Sequence, residues 1–220
     1  MSWKDFPLHG YSLPEEILAA PAKEDVEGIS AAILDELKAV LTEEFELQWT
    51  ASGETGWYPN QGNGYGGKSM TTTFNSVQWD SDSAPVETSD WEAILATTNR
   101  ITTARGLGAM KLSPDADTLQ NDPAWHEELV ERYGTADPHK LYWITGTAYA
   151  DSQWFSLSLV NVDRDTTGKA AKEYENSGLP PRTISLSYGA TAVSRDDLPA
   201  FKDALAPFQG LTPPEPTTSD

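Results

Sequence analysis

Residues 141–162 read LYWITGTAYADSQWFSLSLVNV, and the order of residue types in them indicates a β-hairpin. Both halves are rich in aromatic residues, threonine and aliphatic residues, which favour strands. Residues 150–152, Ala-Asp-Ser, have the length and chemistry of a hairpin loop. Phe155, Leu157 and Leu159 alternate with serines, so the second strand is predicted to have one apolar face and one polar face.

A third strand of the same kind is predicted at Ile184, Leu186 and Tyr188, which alternate with Ser185 and Ser187. Strands joined by hairpins run antiparallel, and an antiparallel sheet can leave one face in water. We therefore expect a sheet with one face on the core and one wet face.

Two earlier segments also have strand patterns. Leu47 and Trp49 alternate with polar residues, which predicts a half-buried strand. In the run 69–79 the apolar positions change face midway, which predicts a strand with a bulge near Asn75.

Apolar residues recur at steps of three and four from Glu24 to Leu41, the pattern of an amphipathic helix. Capping residues and apolar spacing predict further helices that begin after Ser12, Ser89, Asp122 and Ser194. Helices that flank hairpin-linked strands indicate an α+β fold, with an antiparallel sheet of about five to six strands and helices packed mainly on one face. We expect an N-terminal arm over 1–21, a single domain over 22–211, and a flexible tail rich in proline and threonine over 212–220.

The composition excludes several classes of partner. The chain has 34 Asp and Glu against 15 Lys and Arg, a net charge of -19, which repels phosphate backbones and anionic lipid surfaces. We therefore expect no nucleic acid partner, a monomer, and either a basic protein or a small polar molecule as the partner. The chain contains no cysteine, which excludes disulfides and thiolate chemistry.

The sequence gives only a conditional prediction of location. It contains no apolar run of the length that spans a membrane, so we expect no membrane insertion by this chain. The first residues lack a basic segment followed by an apolar run. The protein is expected to be cytoplasmic if Met1 is its native start, and otherwise to be exported with its signal removed.

The segment Gly62–Ser69 satisfies the pattern of a phosphate-binding loop. Such a loop needs a buried strand before it and a helix after it, whereas residues 57–61 and 70–74 have strand chemistry. We therefore expect a loop that joins two strands and binds no nucleotide. As ligand-binding candidates the segment and its flanks offer Trp57, Tyr58, Asn63, Tyr65 and Lys68. The alternative is a hairpin loop whose aromatic side chains pack against the protein.

No motif predicts a catalytic residue, a metal site or a cofactor. His126 begins half of a zinc-protease helix pattern, but Val130 occupies the position of the second ligand. Acidic residues cluster over 80–90 and near 151–165, without the spacing of a calcium loop. A serine–histidine–aspartate triad is left open, because no spacing singles out its members.

Four stretches of the chain carry a family resemblance: residues 47–50 (Leu-Gln-Trp-Thr), Gly62–Gly67, residues 89–92 (Ser-Asp-Trp-Glu) and residues 184–193. On these stretches the chain resembles small actinobacterial lipoproteins of the LppA type, over about half of its length. The resemblance implies an association with the cell envelope and no defined chemistry. Members of that type have an anchoring cysteine, which this sequence lacks.

Three functions are consistent with these observations. The first is a non-catalytic binding or accessory domain, indicated by the aromatic, glycine-rich loop and the wet sheet face. The second is an acidic inhibitor, such as an immunity protein, that covers a basic partner with its negative surface. The third is a hydrolase of unknown substrate.

Overall fold

The computed structural model describes residues 2–85, 87–138 and 140–217. Its longer helices are α2 and α3, and five shorter α-helices complete the described set. In chain order the helices are α1 Pro14–Ala19, α2 Lys23–Phe45, α3 Thr88–Ala104, α4 Ala116–Asn121, α5 Pro123–Tyr133, α6 Lys169–Ser177 and α7 Leu198–Leu205. The strands are β1 Thr50–Ser52, β2 Gly56–Pro59, β3 Thr72–Asn75, β4 Gln78–Ser81, β5 Lys111–Ser113, β6 Trp143–Ala150, β7 Gln153–Asn161 and β8 Arg182–Ala192.

The strands form one antiparallel sheet in the order β1-β4-β8-β7-β6-β5, with β3 also on β8 and β2 on β3. The predicted hairpin is confirmed: β6 and β7 pair from Trp143 opposite Val160 to Ala150 opposite Gln153. Asp151 in its turn has φ 54°, a left-handed conformation that aspartate tolerates. The α+β class and the antiparallel sheet are thus as expected, and the sheet contains eight strands, six of them along its main path.

The predicted bulge is also confirmed, between β3 and β4. Asn75 lies opposite Gly189 and Trp79 lies opposite Leu186. Three residues, 76–78, therefore lie opposite two residues of β8, 187 and 188. The extra residue reverses the alternation of side chains. Phe74 and Trp79 therefore both face the main core, although they are five positions apart.

Helices α2 and α3 cover one face of the sheet and form the main core with it. The apolar stripe predicted for α2 supplies Val26, Ile33 and Leu37 to this core, each at most 1% exposed. From the sheet, Phe155, Leu157 and Leu159 point into the same core. The pattern of alternating residues in β7 and β8 therefore assigns this face correctly.

A second, smaller core lies at one end of the opposite face. Trp143 of β6 and Val160 of β7 contact side chains of α4, α5 and α6 there. The members of this cluster are Leu119, Trp125, Leu129, Tyr133, Ala136, Leu141, Tyr142, Trp143, Val160, Val162, Ala170, Ala171 and Tyr174. The helices thus cover only one end of the opposite face.

A third cluster holds the N-terminal arm against α7. Phe6 and Leu8 of the arm are buried beside Phe201 and Phe208. Part of the predicted tail contacts the loop between β2 and β3, since Thr217 donates its N–H to the carbonyl oxygen of Gly64 at 2.8 Å. Residues 218–220 of the tail lie outside the described residues.

The helix α6 falls in a segment for which the sequence predicts no element, and Asp165 organises its start. This buried carboxylate accepts hydrogen bonds from the N–H and hydroxyl of Thr167 at 2.8 and 2.7 Å and from the N–H of Ala170 at 2.7 Å. Burial acts to raise the pKa of Asp165, but the hydrogen bonds from Ala170 and Thr167 outweigh it, so the pKa lies below its ordinary value.

We expect Asp165→Asn to lower the free energy of unfolding by about 2 kcal/mol at pH 7, because an amide nitrogen cannot accept the hydrogen bond from Ala170. The folded-state pKa of Asp165 is depressed, so its contribution is full above the unfolded pKa near ~3.9 and is lost as the pH falls through the lower folded value. Urea denaturation at a series of pH values should therefore show a constant difference between wild type and variant from about pH 5 to 8, and a shrinking one below about pH 4. A difference that does not change down to pH 2 would contradict this role.

None of the helices in the described ranges is both long enough and apolar enough to span a bilayer.

Candidate functional site

The structure places the five predicted ligand-binding residues in separate surroundings. Trp57 and Tyr58 are neighbours in β2, so their side chains point to opposite faces of the sheet. Trp57 faces the helices, where its Nε1 donates to Glu27 at 2.8 Å and its ring lies 5.0 Å from the ammonium nitrogen of Lys23. Tyr58 is 52% exposed on the other face. Lys68 is exposed to solvent.

Asn63 is completely buried and joins the loop to the N-terminal arm. Its amide nitrogen donates to the carbonyl oxygens of Trp3 and Lys4, both at 3.1 Å, and of Phe6 at 2.8 Å. Its amide oxygen accepts from the backbone N–H groups of Tyr65 and Gly67, both at 2.9 Å. The polar atoms of this side chain are thus occupied by the protein itself.

Tyr65 is also buried, and its ring packs near Trp3 and Phe6. Burial, and after it the neighbouring carboxylate of Glu215, raises the pKa of Tyr65. The protonated hydroxyl donates to the carbonyl oxygen of Pro214 at 2.7 Å. Trp57 and Tyr65 therefore pack against the protein, as the alternative interpretation of the sequence expected, whereas Tyr58 is exposed. A ligand role for this segment stays a prediction.

The segment Gly62–Ser69 connects β2 to β3, which pair antiparallel from Gly56 opposite Asn75 to Pro59 opposite Thr72. This confirms that the loop joins two strands. A phosphate-binding loop requires a helix at its end, and residues 68–71 instead lead into β3.

The sheet face opposite α2 and α3 is the strongest candidate site. Strands β6, β7 and β8 present nine positions there in three rows that cross the strands, and we call these positions the open face. The rows are Thr145, Ser158 and Ser185; Thr147, Ser156 and Ser187; and Tyr149, Trp154 and Gly189. Two rows consist of hydroxyl groups, and the third is aromatic.

The six hydroxyl groups of the open face are half-buried and make no hydrogen bond to another side chain or backbone group in the part of the chain that the structure describes. Hydroxyls at the neighbouring end of the sheet behave differently. The hydroxyl oxygens of Thr73 and Thr191 lie 3.1 Å apart, and the hydroxyl of Thr73 donates to the amide oxygen of Asn60 at 3.2 Å. The amide nitrogen of Asn60 in turn donates to the hydroxyl of Thr71 at 2.8 Å. The hydroxyl groups of the open face are therefore available to a ligand.

The aromatic row has a defined shape because two glycines lie beneath its rings. The indole of Trp154 lies directly over Gly189, where a Cβ atom would overlap its ring atoms. The ring of Tyr58 leans over Gly56, with its hydroxyl oxygen 3.0 Å from the position a Cβ would take. Tyr149 is 64% exposed beside Trp154.

This row continues beyond the open face. Gly189 pairs with Asn75 of β3, and Asn75 pairs with Gly56 of β2. Five strands separated by about 4.8 Å give the aromatic row a length of about 19 Å.

Charged side chains lie at the margins of this surface. Lys111 of β5 lies opposite Thr147, and Asp80 of β4 lies opposite Ser185. Ser158 and Ser185 also line a groove of about 280 Å³, together with Asp80, Asp82 and Tyr174. The nine positions of the open face themselves carry no ionisable group except the phenol of Tyr149.

The long helix α2 is rich in acidic side chains. Six of its seven acidic side chains have partners in the structure. These are Glu24 with the N–H of Arg195, Asp25 with Arg195, Glu27 with Trp57, Asp35 with Lys38, Glu36 with Arg105, and Glu44 with Thr97. Among the described residues, only Asp25, Asp35 and Glu36 pair with a cation, whereas Glu24, Glu27 and Glu44 bond neutral donors and keep their negative charge, so a basic protein partner stays a prediction.

The histidines in the described residues do not form a triad. His9 accepts the N–H of Tyr11 at 3.3 Å, and neither His9 nor His126 has a serine or carboxylate partner there. His139 lies outside the described residues. Within the same described ranges no three histidine or acidic side chains come together as a metal site.

Comparison with known proteins finds no matching family model, no similar curated protein and no similar solved structure. The resemblance to LppA-type lipoproteins therefore stays a prediction.

The sequence indicated the hydroxyl positions but missed the site they form. The alternation of serine with leucine in β7 and β8 places those serines on the wet face. Trp154, Tyr149 and Gly189 were not singled out, because their juxtaposition depends on the register of three strands. A glycine within the β8 pattern was the available signal, since such a glycine often marks close approach of another group.

Proposed function

We propose that this protein is a non-catalytic binding domain whose ligand lies across the open face of the sheet. The observation that carries the proposal is the combination of six hydroxyl groups that have no partner among the described residues and an adjacent row of aromatic rings. Hydroxyl groups fix the orientation of a ligand, and aromatic rings supply contact area at a low cost in conformational entropy. A rigid sheet holds both in place.

The layout of the sheet supports this surface as the place where a ligand binds. The face covered by α2 and α3 is filled by the main core, and the second core occupies only the end near Trp143 and Val160. The open face lies between that second core and the hydroxyl network around Thr73 and Thr191. A ligand of moderate length therefore has access to it.

The function is tested with arrays of defined oligosaccharides and of 12-residue peptides, probed with labelled wild type and with the double variant Tyr149→Ala/Trp154→Ala. We expect at least one class of probe to be retained by wild type and to lose tenfold or more of its affinity with the double variant. Tyr11→Ala is the matched control, because Tyr11 is 73% exposed in the N-terminal arm and lies off the open face. It should bind like wild type.

A binding function of the open face would be refuted if no probe on either array distinguished the double variant from wild type. Thermal melts of all three proteins accompany the arrays. Tyr149 is largely exposed and Trp154 is half-buried, so the double variant should remain folded.

A further inference from the structure

We infer that the ligand of the open face is an uncharged carbohydrate chain, an inference that rests on the proposed binding function. It names the chemical class that fits the charge, the hydrogen-bonding groups and the aromatic rings of this face.

The charge of the open face favours a neutral ligand. Charged residues make up 22% of the chain, and its net charge is -19, yet none of the nine positions is an Asp, Glu, Lys, Arg or His, and the two ionisable residues that flank the hydroxyl rows, Lys111 and Asp80, carry opposite charges. Surfaces that bind ions carry the opposite charge where the ligand lies. A phosphorylated or sulfated ligand would in addition be repelled by the net charge of the protein.

The hydroxyl rows match the chemistry of sugars. Each serine or threonine hydroxyl can donate one hydrogen bond and accept two. The rows through Ser158 and Ser156 place such groups on three adjacent strands, about 4.8 Å apart. A sugar carries hydroxyl groups of the same dual character along its edges, so each can pair with the face in either direction.

An extended peptide fits this face less well. Peptides commonly bind a sheet by adding a strand to a free edge, where the backbone groups are unpaired. In β7 the backbone pairs with β6 on one side and with β8 on the other along its whole length. The open face therefore offers side chains only, and a peptide backbone would meet no unpaired strand with which to form backbone hydrogen bonds.

The aromatic row supplies the remaining contact. Sugar rings have C–H faces that pack on the apolar faces of aromatic side chains, and Tyr149, Trp154 and Tyr58 present such rings in one line. Gly189 keeps Trp154 against the sheet, because any Cβ at that position would displace the indole. A row about 19 Å long, set by the spacing of five strands, suits a chain of several sugars rather than a single one.

The test measures binding of three neutral hexasaccharides, cellohexaose, maltohexaose and N-acetylchitohexaose, by isothermal titration calorimetry at 0.15 M salt. We expect wild type to bind at least one of them and Trp154→Ala to weaken that binding tenfold or more. Gly189→Ala keeps every aromatic side chain but displaces Trp154, and should weaken binding at least fivefold. The double variant Ser156→Ala/Ser187→Ala should weaken it at least threefold.

Matched controls are Tyr11→Ala for the aromatic changes and Ser177→Ala, at the exposed end of α6, for the hydroxyl changes. Both should bind within twofold of wild type. If Gly189→Ala does not fold, Tyr149→Ala replaces it, since that side chain is 64% exposed and its truncation leaves the core intact.

Two results would overturn the inference. One is binding of the hexasaccharides with equal affinity by wild type and Trp154→Ala. The other is no binding of the hexasaccharides while 12-residue peptides bind wild type in a manner that depends on Trp154, which would leave the binding function standing. If neither sugars nor peptides bound through the open face, the proposed function would fail together with its ligand.

Discussion

Asn63→Ala should lower the free energy of unfolding by about 3 to 4 kcal/mol, which is a large part of the stability of an ordinary domain. The side chain is completely buried and makes hydrogen bonds to three carbonyl oxygens and two N–H groups. Alanine removes all five and leaves the N–H groups of Tyr65 and Gly67 without that acceptor. Urea denaturation, read as a shift of the midpoint with an unchanged slope, measures the loss.

The control for this change is Asn75→Ala on β3, where the asparagine side chain is exposed and makes no hydrogen bond to any described residue. It should change the free energy of unfolding by less than about 0.5 kcal/mol. Similar stabilities for the two variants would mean that the N-terminal arm is held by its apolar contacts alone and not by Asn63.

Gly67→Ala should destabilise the protein by about 3 kcal/mol, for a different reason. A Cβ at Gly67 would collide with the carbonyl oxygen of Lys4 and lie 2.8 Å from the amide nitrogen of Asn63. The carbonyl is part of the backbone, so it can move only if the arm moves with it. We expect the arm to separate from the loop, which limited proteolysis near Phe6 would detect as faster cleavage.

Gly28→Ala is the matched control, because a Cβ at Gly28 of α2 meets no atom within 4 Å. Alanine is the better helix former, so the free energy of unfolding of this variant should rise by about 0.5 to 1 kcal/mol. If Gly67→Ala lowers the free energy of unfolding and Gly28→Ala raises it, the loss at Gly67 is due to close packing and not to the added methyl group in general. An unchanged free energy of unfolding in Gly67→Ala would contradict the close approach of the loop and the arm.

The strand pattern was predictable where burial alternates along a single strand. In β6, β7 and β8 one face lies on the main core, so the periodicity of the sequence reports the structure directly. The bulge was predictable as well, because Phe74 and Trp79 are large apolar side chains that are favoured on the core face, and only an extra residue brings both to that face.

The segment around Leu47 was predicted as a strand, and the structure places it outside any strand. Contacts with the end of α2 outweigh the local pattern there. Thr42 of α2 donates to the carbonyl oxygen of Leu47 at 2.9 Å, and Nε1 of Trp49 donates to the carbonyl oxygen of Lys38 at 3.3 Å. The strand β1 begins only at Thr50.

The helix α6 was not predicted, because its few apolar residues give a weak signal. Its start depends on Asp165, which lies three residues before the helix N-cap at Gly168.

The candidate site was only partly predictable from the sequence. Tyr58 and the wet face were identified, but the grouping of Trp154, Tyr149 and Gly189 depends on pairing between strands that are distant in the chain.

The strand lengths have a consequence for self-association. The outermost strands β1 and β5 have three residues each and β2 has four, whereas the inner strands β7 and β8 have nine and eleven. A second sheet approaching from the side would find few unpaired peptide groups, and Pro59 removes one donor from β2. The short outer strands therefore disfavour side-by-side pairing of two domains through the edges of their sheets.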